Sequence, residues 1–285
     1  MATESAVLSN IRPQKQTTWF LPREHGATAM LFTPIVCAAI LSSTWRWSEL
    51  ATFMAAFAAL AAKDPMVVLA RQRFVWKQQH PETAIALRWF AGWSVLLAAS
   101  GLVLLASWPF TATVSLGLGV GLFSALAIAI NVKNRQRSTL FQIVSAFALT
   151  SSSLAASLSA TGAIALWCWG LWLLLALQAT AGILVVHARL DARIALRSTA
   201  PARENYRRAA QISIVVLVGA AAAAIVLHRS FIALALVIAA LGYVYDLRRQ
   251  HNAEALQLPL KSVGQQALAL SSLYAILLII GLWQA

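Results

Sequence analysis

The chain has 285 residues, of which 60% are hydrophobic and only 11% charged, and it carries a formal net charge of +13. A charged fraction that far below the roughly 25% of soluble domains excludes an ordinary water-soluble enzyme. A pI near 11.1 would suit a nucleic-acid-binding protein, but the basic residues sit in short loops between apolar runs. That is the pattern of a polytopic membrane protein, and it gives no reason to expect a nucleic-acid partner.

In chain order, residues 1–26 are polar, contain Pro13 and Pro22, and lack the basic start, apolar stretch and cleavage site of a signal peptide. They read as a cytoplasmic N-terminal segment ahead of a single transmembrane domain over residues 27–285. A spanning helix needs about 20 mostly apolar residues. Nine runs meet or approach that: Ala27–Ser43, Ser48–Ala70, Trp89–Ala106, Phe110–Ile130, Leu140–Ala160, Ala163–Val186, Ala209–Leu227, Phe231–Tyr245 and Val263–Trp283. None shows the turn-punctuated alternation of a barrel strand, so the expected fold is an all-α integral membrane bundle of nine helices. The small-residue stretches Gly117–Gly121, Ser151–Ser157 and Gly219–Ala224 suit close helix contact. Cys37 and Cys168 lie in apolar runs without ligand-like spacing and read as small core hydrophobes.

Charge then orients the ladder. Of the 22 Lys and Arg residues, all but Arg46 and Arg229 fall in the N-terminal segment or near the ends of the second, fourth, sixth and eighth runs. The basic side is expected to face the cytoplasm, with the N-terminus inside and the C-terminus outside, in a bacterial inner membrane. An even helix count would break the alternation. The opposite connections, such as Ser107–Pro109 and Thr161–Gly162, are tight, so function is expected on the basic face, where the loops have room. Trp45, Trp47 and Trp108 mark the outer interface, and Trp19, Trp76 and Trp89 the inner one.

Charges inside an apolar run are functional candidates by default. Lys63 and Asp64 interrupt the second run about two turns before its basic end, by the rise of about 1.5 Å per residue. They could instead pair with each other, with Pro65 loosening the helix. His187 and Asp191 are four residues apart and share a helix face, while Arg189 and Arg193 share the neighbouring one. A His beside a carboxylate can move a proton or bind a metal, and the alternative is a solvated helix end. Lys133, Arg135 and Arg137 crowd one short loop and suit phosphate or an acidic headgroup, or serve only to set topology. The most distinctive string is Pro22-Arg23-Glu24-His25-Gly26-Ala27 at the start of the first run. There, free N–H groups favour an anion, unless Glu24 caps them itself. No phosphate loop, nucleophile elbow or HExxH motif is present.

Two resemblances follow from these residues. Leu21 to Ala27, continuing into Met30-Leu31 and Pro34, resembles the opening of the YwiC-like family of bacterial membrane proteins, and Pro259-Leu260-Lys261 with Val263-Gly264 resembles that family's end. More distantly, the layout is similar to UbiA-type intramembrane prenyltransferases, which have nine helices and a cytoplasm-facing site. Pro22 to Pro34 resembles their first-helix pattern, and Lys133–Arg137 with Thr139 and Gln142 their basic loop. That resemblance implies two Asp-rich motifs holding Mg²⁺ against a prenyl diphosphate. The corresponding regions keep one Asp each, Asp64 and Asp191, which is thin support for a diphosphate-bound Mg²⁺.

Together these features give an expected cavity on the basic face. Arg23, Glu24, His25, Lys63, Lys133, Arg135 and Arg137 would bind an isoprenoid or anionic lipid there, and Asp64, His187 and Asp191 would carry any chemistry. Rivals are a transporter of a lipid-like molecule, disfavoured by an odd helix number, and a non-catalytic subunit of a respiratory complex.

Overall fold

A computed structural model describes residues 25–78, 81–133, 138–197 and 204–283. Among them every regular element is helical: α1 (His25–Ser42), α2 (Trp47–Arg71), α3 (Thr83–Ser107), α4 (Phe110–Val132), α5 (Thr139–Thr150), α6 (Ser152–Thr161), α7 (Leu166–Arg197), α8 (Glu204–Val226), α9 (Ser230–Arg249), α10 (Ala253–Gln257) and α11 (Leu260–Trp283). The chain is a helical membrane bundle. Eight spans among the described residues are long and apolar enough to cross a bilayer. The first apolar run forms α1, 18 residues and so about 27 Å long, slightly under the hydrocarbon thickness of about 30 Å. The expected count of nine spans is therefore not established.

Three elements differ from the apolar runs. The second run continues past Ala70 through Arg71 into a π-helical turn, Gln72–Trp76, and stops where Lys77 takes a left-handed φ of 52°. The sixth run becomes α7, 32 residues long, whose last turns carry the charges. The fifth run is one span broken at Ser151 into α5 and α6. The hydroxyls explain the break. Thr150 Oγ1 donates to Ala146 O at 2.7 Å, Ser151 Oγ to Ala148 O at 2.7 Å and Ser153 Oγ to Thr150 O at 3.1 Å. Such back-bonding competes with the helix ladder. Backbone carbonyls there are satisfied from α7: Trp172 Nε1 donates to Phe147 O at 2.9 Å and Cys168 Sγ to Ser153 O at 3.1 Å. Non-regular backbone at membrane depth is tolerable only where it is covered in this way.

The main core joins α1, α6, α7, α8, α9 and α11 around Tyr274, Leu171, Leu217, Leu236 and Leu278, all fully buried. Glycines let α9 and α11 approach closely. A Cβ at Gly281 would stand 2.8 Å from Ile232 Cγ1, and one at Gly242 the same distance from Leu270 Cδ2. α2, α3 and α4 form a second group, joined to the rest through α1 and α6 with a small core of Ala51, Leu104, Trp108 and Leu158.

The two ends of the bundle are chemically distinct. At one, Ser48 Oγ donates to Ser159 O at 2.8 Å, Trp108 Nε1 to Ser159 Oγ at 3.0 Å, and Thr44 Oγ1 to Ala160 O at 3.3 Å. These bonds tie the start of α2 to the ends of α3 and α6. At the other, Arg71 Nη2 donates to Asn131 O at 2.8 Å, joining the ends of α2 and α4, and the described Lys and Arg residues other than Arg46 and Arg229 lie toward that end.

Candidate functional site

The basic end holds the candidate residues that are described. Arg23, Glu24, Arg135 and Arg137 lie outside the described residues. His25 opens α1, but its side chain is likewise outside them. Lys133 caps α4 with its side chain exposed, close in sequence to the Asn131 carbonyl that accepts from Arg71.

Lys63 and Asp64 sit within α2, and Lys63 Nζ lies 3.8 Å from Asp64 Oδ1, with side chains 19% and 37% exposed. Adjacent helical residues do not face each other, so this is a loose pair. Pro65 follows, fully buried, and removes the N–H that Ala61 O would have accepted.

His187 occupies a more constructed position. Its Nε2 lies 2.8 Å from Gln142 Oε1 on α5, and its ring stacks on Tyr206 of α8 at 5.3 Å between centroids. The contact with an amide oxygen makes Nε2 the donor and leaves Nδ1 as the ring's acceptor. Asp191 follows one turn later on the same face, half-buried. A half-buried imidazole held from two helices, with a carboxylate one turn away, can accept or relay a proton or bind a polar head. The pairing with Gln142 and Tyr206 links residues 45 and 19 positions away, and no local pattern announces it.

α2 and α7 do not pack extensively on each other; both pack on α1 and α6. The Lys63–Asp64 and His187–Asp191 groups are thus on helices with shared neighbours. Among the described residues no three His, Cys, Asp or Glu side chains gather to hold a metal ion. The donor set does not fit the Mg²⁺ implied by the UbiA-type resemblance, and no metal-dependent step is assigned to it.

Two polar clusters differ from the sequence expectations. Arg189, 3% exposed, donates from Nη1 to Asp246 Oδ1 of α9 at 2.9 Å and from Nη2 to Ala255 O of α10. It locks the short α10 and the end of α9 onto α7 rather than forming a local ion pair. Within the span, Gln178 Nε2 donates to Tyr243 OH at 2.7 Å and to Ser271 Oγ at 2.9 Å, while Tyr243 OH donates to Gln178 O at 3.1 Å. Uncharged polar residues inside an apolar run were the only signal of this cluster.

No curated protein and no solved structure matches the chain. The model of the YwiC-like protein family matches residues 21–157. The matched part contains Lys63, Asp64 and the Lys133–Arg137 loop, while His187, Asp191 and the Pro259–Gly264 string lie beyond it. From the Leu21–Ala27 string to the middle of α6, just under half of its length, the chain is similar to the YwiC-like family.

Proposed function

We propose that the protein binds an amphipathic isoprenoid or lipid with an anionic head at its basic end, in an inner membrane with that end facing the cytoplasm. The observation that carries this reading is the half-buried His187, held by Gln142 and Tyr206 at the end where the basic residues gather. Arg23, Glu24, His25, Lys63, Lys133, Arg135 and Arg137 supply the head contacts through charge-assisted hydrogen bonds. Asp64, His187 and Asp191 supply the polar and proton-carrying groups. With the acidic motifs reduced to one Asp each, binding needs no metal, and prenyl transfer is the less supported form of the same reading.

Thermal stability of the purified protein tests it. An isoprenoid diphosphate or anionic lipid at a hundredfold excess over its Kd should stabilise by about 2.7 kcal/mol, with or without Mg²⁺. Arg135→Ala with Arg137→Ala should weaken that effect, and Asp64→Ala should matter less. Stabilisation that requires Mg²⁺ and vanishes in Asp64→Ala would favour a metal-dependent transferase instead. A reporter active only in the cytoplasm should be active after Arg197 and silent at the C-terminus; the reverse would move the site to the other face.

Transport of a lipid-like molecule is a second reading. The break at Ser151 favours it, because discontinuous spans recur where transporters bind their cargo. Stabilisation by no anionic isoprenoid or lipid would shift the balance to it.

A further inference from the structure

α2 and its π-helical turn together are longer than the hydrocarbon layer of a bilayer. Trp47–Trp76 is 30 residues, about 45 Å at 1.5 Å per residue, against a hydrocarbon layer of about 30 Å. Trp45 and Trp47 are 85% and 82% exposed at the opposite end and suit an interface there. Counted from Trp47, the hydrocarbon is crossed before Arg71. Yet Phe74, Val75 and Trp76, beyond that point, are exposed.

The turn is fastened and then faces outward. Arg71 holds Asn131 O, and the buried Gln72 accepts the Thr83 hydroxyl at Oε1 over 2.6 Å, which fixes the turn against the start of α3. Residues 73–77 are all exposed, with Arg73 and Lys77 flanking the three apolar side chains. No Asp or Glu occurs between Asp64 and Glu82. A short exposed apolar run with basic flanks, set just past the hydrocarbon, has the chemistry of a membrane interface.

We propose that this π-helical turn is an interfacial anchor that docks on anionic phospholipid headgroups. Phe74, Val75 and Trp76 sit at the acyl boundary, and Arg73 and Lys77 take the lipid phosphates. Charge complementarity selects an anionic leaflet over a zwitterionic one. The anchor is separate from the binding site proposed above, because it uses none of that site's residues.

The test uses the full chain with a nitroxide on Val75→Cys. Cys37 and Cys168 are 1% and 0% exposed, so they do not compete for the label. In phosphatidylglycerol nanodiscs the label should respond comparably to oxygen and to a water-soluble nickel chelate, as a headgroup-depth probe does. In phosphatidylcholine it should move toward water. Arg73→Ala with Lys77→Ala should abolish the difference and weaken phosphatidylglycerol retention in native mass spectrometry about thirtyfold, at about 1 kcal/mol per basic residue. Arg135→Ala with Arg137→Ala should leave the label depth unchanged, whatever it does to isoprenoid binding. A label open to water in both lipids, or equally deep in both, overturns the proposal. So does one shielded from oxygen and nickel alike, which would report a protein partner, or a lipid preference lost only in the Arg135/Arg137 variant.

Discussion

α4 and α9 are comparably apolar helices from one bundle, yet α4 buries only Ala127, while α9 buries eight residues, including Leu236 and Tyr243. α3 resembles α4, burying Ala86, Ser100 and Leu104 alone. Hydropathy thus says that a helix belongs in the membrane but not whether it has protein neighbours there. In a bilayer, apolar surface gains little by leaving lipid for protein, so association depends on close packing and interhelical hydrogen bonds. α7, α9 and α11 have both, through Gly242, Gly281 and the Gln178–Tyr243–Ser271 cluster. α4 has three glycines, Gly117, Gly119 and Gly121, with open space where a Cβ would stand.

Substitutions can break this contrast, the largest first. Leu236→Ala, at a fully buried site, should lower the unfolding free energy by about 2–5 kcal/mol, while Leu122→Ala, at a site 72% exposed on α4, should change it little. Thermal denaturation in a fixed detergent measures both, and equal losses would mean that α4 is as tightly packed as α9. Arg189→Ala should cost about 2–3 kcal/mol. It strands Ala255 O and the Asp246 carboxylate, and the loss falls below that of a fully buried pair because Asp246 is 24% exposed. Proteolysis near α10 should rise in that variant; unchanged cleavage would mean α10 is held by other contacts. Gln178→Leu should cost less, about 1.2 kcal/mol, for two interhelical hydrogen bonds at the membrane-protein average of about 0.6 kcal/mol each. A loss of several kcal/mol would instead mark the cluster as a network stronger than its separate bonds.

Much of the fold was legible in the sequence because length and hydropathy are local properties. The apolar runs fall where the helices are, and the described basic residues other than Arg46 and Arg229 lie toward one end. What stayed hidden depends on partners distant in sequence. Ser151–Ser157 reads as small-residue packing, yet the hydroxyls at 150, 151 and 153 turn inward on their own backbone and break the span. Arg189 reads as one of a local set, but its carboxylate partner is 57 residues away. The candidate site was legible only as a list of residue types. His187 found its partners on α5 and α8, and the Arg23–Glu24 and Arg135–Arg137 positions fall outside the described residues.

The broken span has a consequence for biogenesis. A segment bearing Thr150, Ser151, Ser152 and Ser153 in a row would ordinarily be costly to release from the translocon into lipid. Three of those hydroxyls are satisfied by carbonyls within the same span and need no partner helix. Only Ser152 reaches out, donating to Leu31 O of α1 at 2.7 Å. The span can therefore enter the bilayer with most of its polarity already neutralised. It keeps one donor in hand, which sets its height against a helix inserted more than a hundred residues earlier.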